Sequence, residues 1–170
     1  MKQRNSPGFS LMEVVLYVGI GAIMLGAVTA FYFSIQTAGL KNQTILEIEE
    51  GGTAALAPML QAARSATGVT GLGRGRSTSV LTLRMTDQSR NPTVFDVSNG
   101  VLRVREGRAG VPVPLTVPRV RVARFLVTNV APAGSSAVLR FELTLTAVNP
   151  SGRNEYDYGR TFLGTAALRP

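Results

Sequence analysis

Residues 6–35 read SPGFSLMEVVLYVGIGAIMLGAVTAFYFSI, and this stretch decides the fold. From Val14 to Leu40 no charged residue occurs. A helix rises about 1.5 Å per residue, and about 20 apolar residues cross a bilayer core, so the run is long enough to span. It is apolar on every face, as a lipid- or bundle-embedded helix should be. Glu13 stands at its entrance. A carboxylate in a membrane helix costs about 2.5–3.5 kcal/mol at the centre and less near the end, and it marks a functional site with a partner. A plain anchor has no use for it.

The residues just before Glu13 point to that partner. Gly8-Phe9-Ser10-Leu11-Met12-Glu13 follows a short leader carrying Lys2 and Arg4. This resembles the class III signal of type IV pilins and type II secretion pseudopilins. The resemblance implies cleavage between Gly8 and Phe9 by a prepilin peptidase and N-methylation of the new terminal Phe9. It also implies that Glu13 is the assembly carboxylate, pairing with the Phe9 amine of a neighbouring subunit. The order Asn99-Gly100-Val101-Leu102-x-Val104, then Pro114-Leu115-Thr116, then Val120-x-Val122-x-x-Phe125 and an alternating Leu strand is similar to heads of minor subunits of the J or W type.

Elementary chemistry agrees with that reading. A freed amine at Phe9 and a carboxylate at Glu13 lie four residues apart, one helical turn. Pairing between chains would fix their axial stagger, because a charge left alone in lipid is expensive. A secretory signal would have a shorter apolar core and a small-residue cleavage site after it. The two leader cations predict that residues 1–8 stay cytoplasmic while the rest is exported.

Composition narrows the function. The chain has 170 residues, no cysteine and no histidine, which removes disulfides, thiolate chemistry, the commonest general base and the commonest metal ligand. The lack of cysteine departs from many major pilins and leaves minor pilins and pseudopilins open. No nucleophile–base pair is recognisable, and Glu155 with Asp157 reads as a solvated loop, so the expectation is no enzyme, no cofactor and no metal. The formal net charge is +8. From Arg64 onward the cations are all Arg, while Glu47, Glu49 and Glu50 lie on the preceding segment. That asymmetry suggests an acidic helix end complementing a basic head between subunits.

Along the chain, residues 1–8 read as the cleaved leader, 9–66 as a long helix spanning the membrane over about 9–35, and 67–170 as a head. Leu40, Ile45, Ile48, Leu56, Met59 and Leu60 form an apolar stripe against Lys41, Asn42, Glu47, Glu49 and Glu50. Gly51-Gly52 and Pro58 predict a bend or break between Glu50 and Pro58. Residues 67–78, with the Gly71–Gly75 run, read as a flexible connector; a phosphate loop would follow a strand and open a helix. From Ser79 the period becomes two. Leu81, Leu83 and Met85 form one strand, and Val94–Val97 and Val101–Arg105 form a hairpin on Asn99-Gly100. The Pro-rich segment 111–118 reads as an edge strand or extended loop. A face switch near Arg124 predicts a bulge, Leu139–Leu145 the cleanest strand, Asn149–Gly152 a turn, and Tyr158–Leu168 the last strand.

The predicted fold class is therefore α+β and type IV pilin-like: one long N-terminal helix, transmembrane in its first half, packed on an antiparallel β-sheet head. The predicted function is a minor pilin or pseudopilin in a type IV pilus or type II secretion-like filament. Its partners would be prepilin peptidase, other subunits and the inner membrane, with the head exported to the periplasm or the cell surface. The alternative is a DNA-binding minor pilin using an Arg-rich head. Arg103, Arg105, Arg119, Arg121 and Arg124 are its candidate anion or DNA contacts, and binding would fall steeply with salt. Sparse aromatics and Arg on alternating strand positions make nucleic acid the lesser alternative.

Overall fold

A computed structural model describes residues 10–150, 152 and 156–169, the side chains at 36–38 and 40 excepted. The order is α1 (Leu11–Ser65), β1 (Ala66–Thr70), β2 (Ser77–Thr78), β3 (Leu81–Met85), β4 (Thr93–Ser98), β5 (Val101–Glu106), β6 (Val113–Pro114), β7 (Val120–Asn129), β8 (Val138–Ala147) and β9 (Gly159–Ala167), with a 3-10 turn at Gln88–Arg90 between β3 and β4. The fold is α+β, a long N-terminal apolar helix followed by antiparallel sheets, and is consistent with a pilin-like fold. The chain divides into two compact units, Met1–Leu40 and Lys41–Pro170, and α1 runs through the boundary.

In the first unit, Leu11–Ile35 is a 25-residue segment long and apolar enough to cross a membrane. None of it is buried. Side chains that would be core in a soluble helix, such as Leu16, Ile23, Met24 and Phe31, are exposed.

In the second unit, α1 buries Thr44, Ile48, Gly52, Ala55, Met59, Ala62 and Ala63. The spacing of three and four residues keeps them on one face. Of the predicted stripe, Ile48 and Met59 are fully buried, while Ile45, Leu56 and Leu60 are half-buried. Most of the buried positions are small, which lets the helix backbone come close to the sheet.

The predicted break is absent: α1 is one helix through Gly51, Gly52 and Pro58. Two glycines at about 1 kcal/mol and a proline at about 3 oppose it. Burial of large apolar side chains such as Ile48 and Met59, at about 1.5–3 kcal/mol each, works the other way. Pro58 removes the bond to the carbonyl of Ala54, which is on the exposed side and open to water.

The strands form two antiparallel sheets, a five-stranded one in the order β1-β3-β4-β5-β6 and a four-stranded one in the order β2-β7-β8-β9. Their apolar faces meet α1 in one core with Leu81, Leu83, Phe95, Leu102, Val127, Leu139, Phe141, Leu143 and Leu145. The β4–β5 hairpin turns on Asn99 and Gly100, both at positive φ, 53° and 77°. Its Gly100 carbonyl accepts from the Val122 amide at 2.8 Å and so joins the two sheets. The bulge lies between Val122 and Arg124, with Val122 and Phe125 both buried. β6 is an edge strand of two exposed residues. At the 149–152 turn, the Gly152 amide donates to the Asn149 carbonyl at 3.4 Å; Ser151, Arg153, Asn154 and Glu155 lie outside the described residues.

Residues 67–78 are not a flexible connector. The stretch supplies most of β1 and all of β2, and between them Leu72 is buried in the core. Buried Asn129 donates from Nδ2 to the Leu72 carbonyl at 3.3 Å, and its backbone exchanges bonds with Gly75 and Arg76 at 2.8 and 3.0 Å. β1 escaped the pattern because Gly68 interrupts it. The Arg84 guanidinium crosses over that glycine, where a side chain would have to displace it.

Candidate functional site

Glu13 sits in the first turn of α1. Ser10 caps that turn: its carbonyl accepts from the Glu13 and Val14 amides at 3.0 and 3.3 Å, and its Oγ accepts from the Glu13 amide at 3.3 Å. A hydroxyl at this position satisfies helix-start amides that would otherwise be orphaned. The signal for this cap, a Ser three residues before a Glu, is present in the sequence.

The Glu13 side chain is exposed, and Tyr17 Oη donates to its Oε1 at 3.4 Å from the next turn. This is a long, weak hydrogen bond, so it orients the carboxylate without replacing a cationic partner. Gly8 and Phe9, the predicted cleavage and methylation residues, lie outside the described residues. Down the same segment a β-carbon at Gly19, Gly21 or Gly26 would meet nothing within 4 Å. This surface is free to take a neighbouring helix closely.

The five candidate arginines fall into two groups. Arg103 and Arg105 share an outward face of β5 and line one cleft of about 350 Å³ with Val94, Asp96, Gly110 and Pro112. Arg103 grips Asp96 with two prongs, Nη2 to Oδ2 at 2.7 Å and Nε to Oδ1 at 3.2 Å. Arg119, Arg121 and Arg124 lie on or just before β7. Arg119 pairs with Glu47 at 2.9 Å and Arg124 with Glu142 at 3.2 Å, while Arg121 folds over the Gly100 turn. Three of the five thus already hold a carboxylate. The other two of the five, Arg105 and Arg121, form no ion pair among the described residues.

The acidic end of α1 also finds its cations inside the chain. Glu47 pairs with Arg119, and Glu49 takes both Arg160 and the Tyr158 hydroxyl, the latter at 3.2 Å. The hydrogen bond to Glu49 raises the Arg160 pKa above its ordinary value. The complementarity expected between subunits is, at these two residues, a contact within one head. Arg160 also stacks over the Phe162 ring at 5.7 Å.

Among the described residues no group of three or more His, Cys, Asp or Glu could hold a metal. Comparison with family models, with curated proteins and with solved structures finds no match to this chain.

Proposed function

We propose that this chain is a minor pilin or pseudopilin, a structural subunit of a type IV pilus or type II secretion-like filament. The observation that carries the reading is Glu13: a solvent-facing carboxylate in the first turn of a helix that is otherwise charge-free through Leu40. Such a residue needs a cationic partner once lipid surrounds it.

In this reading a prepilin peptidase cuts between Gly8 and Phe9 and Phe9 is methylated. The Phe9 amine then meets Glu13 of a neighbouring subunit and sets the stagger between helices. The apolar surface of Leu11–Ile35 packs on its neighbours, and the open surface around Gly19 and Gly26 lets them approach. The head, anchored in the inner membrane until assembly, ends on the exported side. The ion pairs held by Arg103, Arg119 and Arg124 weigh against a nucleic-acid role for those residues.

The test is Glu13→Ala in the native host. Membrane insertion and leader cleavage should be unchanged, and incorporation into the filament should be lost. Normal incorporation of this variant would remove the pairing from the account.

A further inference from the structure

Ahead of β7 the chain makes a tight turn, closed by the Val120 amide donating to the Val117 carbonyl at 3.0 Å. Pro118 is its second residue, a position that suits the fixed φ of proline. The Val148 amide, donating to the Arg119 carbonyl at 2.9 Å, ties the turn to the end of β8. Pro118 is a wall shared by two grooves on the surface of the head.

The first groove, of about 560 Å³, is lined by Gly51 and Ala54 of α1 and by Val117 and Pro118. Glu50 also lines it. Of the three neighbouring acids on α1, Glu47 is held by Arg119 and Glu49 by Arg160. Glu50 is exposed and forms no ion pair among the described residues.

The second groove, of about 540 Å³, is lined by Pro118, Val120, Ala147 and Val148. Its cation is Arg121, exposed and likewise without an ion pair among the described residues. The Arg121 stem rests over the Gly100 turn. Apolar side chains stay in water around both grooves: Leu46, one turn before Glu50, is 59% exposed, Val117 51% and Val148 45%.

This surface therefore carries a lone anion and a lone cation in two grooves that share one apolar ridge. A two-fold rotation about Pro118 lays cation on anion and anion on cation. That is the self-complementarity an isologous contact requires, in which one residue meets a second and the second meets the first.

We propose that the ridge at Pro118 is where the head pairs with a second copy of this chain. Pro118 lies near the two-fold axis, and Glu50 of each copy meets Arg121 of the other. The apolar side chains around the grooves supply the burial, and the two charge pairs set register and orientation. The turn is already formed, so little ordering opposes the contact. Charge selects the occupant. A polyanion would meet Arg121 and be repelled by Glu50, and a basic segment would face the reverse. A copy of the surface satisfies both charges at once.

The test is sedimentation equilibrium of the full chain in non-ionic detergent at about 0.1 M salt, where the Debye length is about 10 Å. The native chain should form a dimer and nothing larger. Glu50→Arg and Arg121→Glu should each weaken the dimer about tenfold or more, since each turns two attractions into two repulsions. The double variant, and an equimolar mixture of the two single variants, should return to within about threefold of the native chain. The sequence has no cysteine, so a second readout is available if a reversal variant fails to fold. With oxidised glutathione as oxidant, Val117→Cys beside the axis should form a disulfide-linked dimer, and Leu163→Cys on β9 should not. A native chain that stays monomeric at its highest soluble concentration overturns the proposal. So does a dimer indifferent to both reversals, or one that the double variant does not recover. Growth beyond the dimer that the reversals abolish overturns the two-fold arrangement, and crosslinking at Leu163→Cys but not at Val117→Cys overturns the surface. The contact uses neither Phe9 nor Glu13, so the filament reading stands or falls separately.

Discussion

The ring of Phe162 on β9 lies against Gly52 of α1 and fills the space that a β-carbon at Gly52 would need. One residue earlier the situation differs: a β-carbon at Gly51 would meet only Val120 Cγ2, at an ordinary 3.9 Å. Of these two adjacent glycines, Gly52 has a packing reason to be glycine and Gly51 has none.

Gly52→Ala should destabilise the head by about 1–3 kcal/mol, the usual cost of overpacking a close contact, although alanine is the better helix former. Gly51→Ala should be neutral or stabilise by up to about 1 kcal/mol. Phe162→Ala combined with Gly52→Ala should recover part of the loss, because the two residues touch. Urea melts of the four proteins measure this. Equal effects at Gly51 and Gly52 would show that helix propensity and not Phe162 controls the site.

Asn129 is the second point where the head is sensitive. It is buried, and its side chain donates to Leu72 and accepts from the Ala131 amide at 3.2 Å. Asn129→Leu should cost about 1–3 kcal/mol by leaving buried partners unpaired. Amide exchange in residues 71–76 should accelerate more than in β8. Uniform acceleration across the head would contradict a local tie.

Asp87 gives a pH-dependent prediction. The Ser89 hydroxyl donates to its Oδ1 at 2.7 Å and the Ser89 amide at 2.9 Å, and these bonds lower its pKa below the ordinary 3.8. A depressed carboxylate pKa means stabilisation that is present above the unfolded value and lost as pH falls through the folded one. An NMR titration of the Asp87 carboxyl should give a midpoint below 3.8 in the native chain. Ser89→Ala should move it upward, leaving the backbone bond in place. A midpoint unchanged by that substitution would rule out the hydroxyl as the main cause.

Much of this architecture was legible in the residues, and the failures share a cause. Leu139, Phe141, Leu143 and Leu145 alternate without interruption, and β8 follows them. Asn99-Gly100 supplies the two positive φ values of its hairpin. The long helix was legible, but its continuity through Gly51, Gly52 and Pro58 was not. It depends on partners 60 or more residues away, such as Phe162 and Val120, that local propensity does not see. β1 and the buried Leu72 were missed for the same reason, since glycine-rich sequence reads as loop until Arg84 and Asn129 are in place beside it. At the candidate site, Glu13 stood out because a lone charge in an apolar run is conspicuous. The ion pairs of Arg103, Arg119 and Arg124 depend on strand register and helix docking, which the charge pattern alone does not encode.

The most direct test of the central claim is the intact mass and N-terminal sequence of the protein taken from its native membrane. A chain that begins at methylated Phe9, with residues 1–8 gone, is the result predicted here. A chain that still begins at Met1 in a host with an active prepilin peptidase would contradict it, since Glu13 would then have no terminal amine to meet.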